Sequence, residues 1–186
     1  AETGGDTAYS GSMPKTPMLF DVVALQDLYG ESKTHAGNDT YDMATHLGNW
    51  YETIWDSGGY DRLDFSSYSL DGVAVSLGGF NYLELPHQAG YFTTITDELV
   101  MEVADEKGLA VPNPQKFGWL YGEFDEVIGT KYDDLIEGNT LDNLLTGLGG
   151  NDLLDGDSGI DSAAYLGSRN NFRSEERRVG KECRSR

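Results

Sequence analysis

GTKYDDLIE, GNTLDNLLT, GLGGNDLLD and GDSGIDSAA follow one another without a gap over residues 129–164, as four nine-residue units in one register. Each unit opens with glycine: Gly129, Gly138, Gly147 and Gly156. The sixth position holds Asp134, Asn143, Asp152 and Asp161, and the eighth holds Ile136, Leu145, Leu154 and Ala163. A fixed short period of glycine, then a small acid or amide, then an apolar residue is the pattern of a parallel β-roll whose turns bind calcium. Calcium takes six to eight oxygen ligands, many of them backbone carbonyls. A turn that exposes several carbonyls needs residues able to adopt positive φ, which glycine does without steric cost. The sixth-position carboxylate adds charge. A short strand then carries the chain across, with the eighth residue pointing inward.

Two such units complete one coil, so turns two units apart stack. The 129–134 and 147–152 turns then share one edge, with Gly129, Lys131, Asp134, Gly147, Gly149 and Asp152 as candidate metal ligands. The 138–143 and 156–161 turns share the other, with Asn143 and Asp161. The first edge is expected to bind better, because an amide replaces a carboxylate at Asn143. Tyr132 and Leu141 stand at the fourth position, where glycine is expected, so the roll is short and imperfect, with one to three sites. Without metal, Asp152, Asp155 and Asp157 repel one another and a thin core does not offset chain entropy, so folding is expected to couple to calcium. A metal-free solenoid with the same turns is the competing reading. Four in-register units with Asp or Asn at one position favour calcium.

Composition agrees with a cation-binding exoprotein. The 186 residues carry 32 acidic and 13 basic side chains, for a formal charge of −19. Such a surface repels nucleic acid and favours hard cations. No apolar run is long enough for a membrane span. The tail 173–186 (RSEERRVGKECRSR) holds six of the thirteen basic residues and the single cysteine, Cys183. Its reverse translation resembles a common sequencing-adapter oligonucleotide, so we read it as translated adapter and exclude it from fold reasoning. Without it the charge is 7 − 29 = −22 and no cysteine is left. That suits a secreted protein rigidified by metal instead of disulfides.

Upstream, residues 1–16 are Gly/Ser/Thr-rich and read as loop. Residues 17–29 (PMLFDVVALQDLY) read as a helix, capped by Thr16, opened by Pro17 and stopped by Gly30. Leu19, Val22, Val23, Gln26 and Tyr29 trace its mostly apolar face, widened by Met18, Leu25 and Leu28, and such a face needs a partner surface. Residues 35–40 (HAGNDT) read as a turn. Residues 50–55, 63–66, 72–77 and 123–128 read as strands. Residues 96–104 are ambiguous between helix and strand, and 111–116 read as an extended linker. The fold class is mainly β, a calcium-binding parallel β-roll or solenoid preceded by one α-helix and short strands.

Three blocks carry a resemblance to a known family: the helix 18–30 (MLFDVVALQDLYG), the pair 35–41 (HAGNDTY) with 55–68 (WDSGGYDRLDFSSY), and the nonapeptide array with its closing GIDSAAY at 159–165. Together they resemble the C-terminal portion of serralysin-type secreted zinc metalloproteases of the repeats-in-toxin group. The resemblance implies that residues 1–30 end a catalytic domain. Residues 31–172 would then form the calcium-binding C-terminal domain, with an insertion near 78–118. It also implies a first calcium site from Asp56, Gly58, Gly59 and Asp61 with the loop of His35, Gly37 and Asp39. His35 and Asp39 depart from the Arg and Thr common there; if His35 lends only its carbonyl the first change is tolerable, and Asp39 adds a carboxylate. The family's zinc centre needs His-Glu-x-x-His and a third histidine. His35, His46 and His87 have no such spacing, so by this reading zinc belongs only to a catalytic portion not contained here. The implied partners are calcium, that catalytic domain and the parent enzyme's protein substrates. The implied setting is extracellular, reached by a one-step export system that reads a C-terminal signal. A β-roll from a non-protease exoprotein, such as an adhesin or another secreted hydrolase, is the alternative. An intact enzyme with an unrecognised site among the acids is a third reading.

Overall fold

The computed structural model describes residues 13–48, 50–78, 85, 87–95 and 116–164. The expectations for 1–12, 96–104, 111–115 and the tail 173–186 lie outside the described residues. What is described is mainly β, with one α-helix. The strands are β1 (Met13–Pro14), β2 (Thr40–Asp42), β3 (Trp50–Trp55), β4 (Arg62–Asp64), β5 (Gly72–Ser76) and β6 (Ala89–Ile95). They continue with β7 (Phe117–Tyr121), β8 (Glu126–Ile128), β9 (Leu135–Asn139), β10 (Leu144–Thr146), β11 (Leu153–Asp157) and β12 (Ser162–Ala164).

These strands form two sheets, ordered β1-β3-β7-β6-β5-β9-β11 and β12-β10-β8-β4-β2. Along the repeats the chain alternates between them. Leu135 pairs in parallel with Leu153 in one sheet, and Leu144 with Ser162 in the other, each eighteen residues on. Alternation along each strand sends one face of each sheet into a shared core. Leu63, Phe65, Val73, Phe92, Leu120, Phe124, Val127 and Ile136 are fully enclosed there. Of the eighth-position residues, Ile136 and Leu145 are buried and Leu154 packs partly against the core. Ala163 is exposed instead of inward-facing, because β12 lies at the edge of its sheet with no strand beyond it among the described residues.

One strand breaks the parallel pattern. β6 runs antiparallel to both its neighbours, pairing Val75 with Phe92 and Tyr91 with Trp119. It lies within the stretch near 78–118 that the resemblance reads as an insertion, and it widens the first sheet between β5 and β7.

Helix α1 (Leu19–Tyr29) starts two residues later than expected. Thr16 does not cap it. Its hydroxyl accepts the Thr53 N–H at 2.7 Å and so ties the chain to β3, while Asp21 reaches back to the Met18 N–H at 3.1 Å. The stop at Gly30 is as expected, with its N–H donating to Gln26 O at 2.8 Å. The apolar face is only partly used. Leu19 is buried against Tyr121 and Ala89, with Val22, Val23, Trp55 and Trp119 around them. Leu25, Leu28, Tyr29 and also Phe20 are exposed, because a helix of three turns lying on one sheet face covers a single narrow stripe.

Candidate metal centre

Each strand of the second sheet is preceded by a turn closed by an acid or amide: Asp39, Asp61, Asp125, Asn143 and Asp161 stand immediately before β2, β4, β8, β10 and β12. Parallel pairing at constant register stacks these turns along one edge. Stacking puts each carboxylate beside the backbone of the turn above. Asp39 N–H donates to Asp61 Oδ1 at 2.8 Å, Asp61 N–H to Asp125 Oδ2 at 2.8 Å, and Asn143 N–H to Asp161 Oδ1 at 2.9 Å.

At one end of this ladder Asp39, Asp56 and Asp61 each present a carboxylate oxygen within 4.8 Å of the others'. Among the described residues, no other group of three or more His, Cys, Asp or Glu side chains is gathered in this way. The Tyr41 hydroxyl donates to Asp56 Oδ2 at 2.6 Å and the Gly58 N–H to Asp56 Oδ1 at 2.9 Å, which fixes Asp56. Asp61 is fully buried, and its Oδ2 has no hydrogen-bond partner. Leaving such an oxygen unpaired is costly, and a cation is the group that best relieves it. The two loops also touch through backbone: a Cβ on Gly59 would stand 2.0 Å from the Gly37 carbonyl oxygen. His35 holds a left-handed φ of 54°, and its ring Nδ1 lies 3.3 Å from Trp55 O.

Burial and mutual repulsion dominate the electrostatics of the cluster. Burial pushes Asp61 up to about 6, and repulsion from Asp56, Asp125 and Asp39 adds to it, against the bond from the Asp39 N–H. Burial also raises Asp125. Tyr41 is raised far above the ordinary phenol value by burial and then by Asp56, so it stays a donor. The donor set is oxygen only, which suits a hard cation such as calcium.

The other edge is differently furnished. Asp134, also fully buried, accepts Thr130 N–H at 2.6 Å, Thr130 Oγ1 at 2.9 Å and Val73 N–H at 2.8 Å, and burial pushes it up to about 6. Asp152 Oδ1 accepts the Asp134 N–H at 3.1 Å, so the 129–134 and 147–152 turns are in contact. The Gly147 carbonyl oxygen lies close to Gly129, and the Lys131 carbonyl close to Gly149. The Lys131 ammonium sits over the Tyr132 ring at 5.1 Å and does not pair with the acids. The Asn143 amide is engaged on both atoms, by Asn139 N–H at 2.8 Å and Phe124 O at 3.3 Å. Asp161 is exposed.

Two participants escaped the sequence reading: Asp125 and Tyr41. The signal for Asp125 was present. Residues 120–128 (LYGEFDEVI) fit the nine-residue register just before the first unit, with Asp125 sixth and Val127 eighth, but lack the opening glycine. Residues 34–42 and 56–64 fit it too, with Asp39 and Asp61 sixth. The histidines are dispersed: His46 bonds Glu52 at 3.0 Å and His87 bonds Glu31 at 3.1 Å, and none joins a metal-competent group.

No family model matches the chain. Serralysin of Proteus mirabilis is 29% identical over 156 residues, covering 77% of this chain and 26% of that protein. The metallopeptidase AprA of Pseudomonas marginalis is 28% identical over 154 residues, covering 76% of this chain and 26% of its own length. Serralysin C of Dickeya chrysanthemi is 35% identical over 80 residues, or 37% of this chain and 16% of that one. The chain thus spans about a quarter of the length of the first two of these curated relatives. Over that shared portion, some three quarters of its own residues, the chain is homologous to the serralysins.

Proposed function

We propose that this chain is the calcium-binding parallel β-roll of an extracellular, serralysin-like metalloendopeptidase, and that it serves to fold in calcium and to stabilise an attached catalytic domain. The observation that carries the reading is the unpartnered, fully buried Asp61 Oδ2, set among the Asp39 and Asp56 carboxylates. Calcium there would be held by Asp39, Asp56 and Asp61, with carbonyls from the loop of His35 and Gly37 and from Gly58 and Gly59. The ion supplies positive charge that cancels the mutual repulsion of these acids and ties the 34–39 loop to the 56–61 loop. On the other edge, Asp134 and Asp152 with the carbonyls of Gly129, Lys131, Gly147 and Gly149 are the second candidate set, and Asp161 closes the last turn.

The protease parent is supported by the serralysin homology and by α1. The exposed Phe20, Leu25, Leu28 and Tyr29 give a catalytic domain an apolar surface to cover. The zinc centre of that parent, its protein substrates and its export belong to this proposal. No described helix is long and apolar enough to cross a membrane.

Isothermal titration of the chelator-treated chain with calcium tests the reading, with an Asp39→Asn/Asp56→Asn double variant beside it. Saturable binding in the range of roughly 10⁻⁴–10⁻³ M or tighter, reduced by at least one ion in the variant, is expected. A chain that takes up no calcium overturns it. The protease assignment is tested separately: the full-length gene should encode His-Glu-x-x-His-x-x-Gly-x-x-His, and an adhesin array in its place refutes that part alone.

A further inference from the structure

The four repeat turns are closed in two different ways. In the first, Thr130 Oγ1 accepts the Tyr132 N–H at 3.0 Å while Thr130 N–H donates to Asp134. In the second, Asn139 Oδ1 accepts the Leu141 N–H at 2.9 Å while Asn139 N–H donates to Asn143 Oδ1 at 2.8 Å. A second-position side chain thus closes the turn in the two units whose fourth residue, Tyr132 or Leu141, is not glycine. The last two turns have no such closure. Leu148 (φ 70°) and Asp157 (φ 60°) take left-handed conformations at the second position, followed by Gly150 (φ 114°) and Gly159 (φ 134°).

The 138–143 turn also closes the gap to the turn above it. Asn139 Nδ2 and Asn143 Nδ2 both donate to the Phe124 carbonyl oxygen, at 2.9 and 3.3 Å. Asn139 and Phe124 are fully buried and Asn143 nearly so. All four polar atoms of the two amides are therefore satisfied, and both lone pairs of the Phe124 carbonyl are used. On the same edge, between the 34–39 and 56–61 turns, Asp61 Oδ2 has no partner. An amide NH₂ presents hydrogens carrying partial positive charge, and no metal ion can share a carbonyl with two of them.

We propose that Asn139 and Asn143 stand where a cation would otherwise bridge the 120–125 and 138–143 turns, so that this step of the ladder is held by amides and takes no calcium. These two residues then decide which gaps on the edge bind metal. The ion count rests on the calcium reading above, whereas the amide closure does not.

Two measurements on the whole chain test this. In about 10 mM calcium, above the usual range of extracellular modules, NMR should show side-chain NH₂ exchange of Asn139 and Asn143 at least about tenfold slower than that of exposed Asn151. Equal exchange overturns the proposal. By equilibrium dialysis, Asn143→Asp should bind one calcium more than the wild type; an unchanged count also overturns it. If that variant does not fold, exchange in the wild type decides. Protected amides in a wild type that binds no calcium would sink the calcium reading and leave the amide closure standing.

Discussion

Asp61→Asn separates a metal ligand from a merely structural aspartate. The substitution is isosteric, so the acceptor for the Asp39 N–H at 2.8 Å is kept. The new amide nitrogen replaces an oxygen that has no partner, and the Asp39 and Asp56 carboxylates beside it are acceptors. In chelator the wild type carries a buried charge whose pKa stands at about 6, some two units above the ordinary value. At neutral pH that is worth on the order of 1–3 kcal/mol against folding, and the variant should recover it. In about 10 mM calcium, a site with Kd of about 10⁻⁴ M contributes roughly 2.7 kcal/mol by mass action. Weakening that site about a hundredfold leaves roughly 0.4 kcal/mol. The readout is the calcium increment, the difference between urea-unfolding free energies measured in calcium and in chelator. It should shrink by about 2 kcal/mol in Asp61→Asn, while stability in chelator rises. A variant that loses the same stability in both media, with its increment intact, refutes a ligand role for Asp61.

Three further outcomes follow from the same geometry. Gly59→Ala puts a methyl 2.0 Å from the Gly37 carbonyl oxygen at a φ of 153°; it should force the 34–39 and 56–61 loops apart and lower calcium affinity at least about tenfold by titration calorimetry, roughly 1.4 kcal/mol. Asp61 and Asp134 both have folded pKa values raised to about 6. The folded state therefore binds protons more tightly than the unfolded one, and stability in chelator should fall as pH rises from about 4 to about 6. A urea midpoint that climbs over that window contradicts the assignment. Ile136→Ala, in a fully enclosed core position, should cost about 2–5 kcal/mol in urea denaturation and leave the number of bound calcium ions unchanged.

The repeats were legible because each position has one physical task and the period repeats it. Gly129, Asp134 and Ile136 have counterparts nine and eighteen residues on, in Gly138 and Gly147, Asn143 and Asp152, and Leu145 and Leu154, so turn, acid-or-amide and core position are marked in the sequence itself. The loop of Asp56 and Asp61 was readable by resemblance, and the structure brings both beside Asp39. Asp125 is hidden because Leu120 replaces the opening glycine of its unit and Glu123 the fourth-position glycine, so only Asp125 and Val127 keep the register. Thr40 reads as the last residue of the 35–40 turn, since the three-residue strand Thr40–Asp42 becomes visible only through its pairing with Arg62–Asp64. β6 has no period to share with the repeats. Its antiparallel place between β5 and β7 is fixed by contacts distant in sequence, such as Phe92 in the core. The helix is legible in the sequence; how much of its apolar face this chain covers is not. An apolar face in sequence says which side is available, and Leu25, Leu28 and Tyr29 remain exposed. Tyr132 and Leu141 read as lapses in the repeat. Thr130 and Asn139 show how those turns close without a fourth-position glycine.

Far-UV circular dichroism of this chain, recorded in chelator and again through a calcium titration, tests the central claim most directly. Calcium-coupled folding predicts a β signal that is reduced but measurable in chelator, where the chain is only marginally folded, and that grows saturably as calcium reaches the millimolar range, with sodium or magnesium at the same ionic strength failing to reproduce it. A β spectrum fully developed in chelator and unaltered by calcium would contradict it.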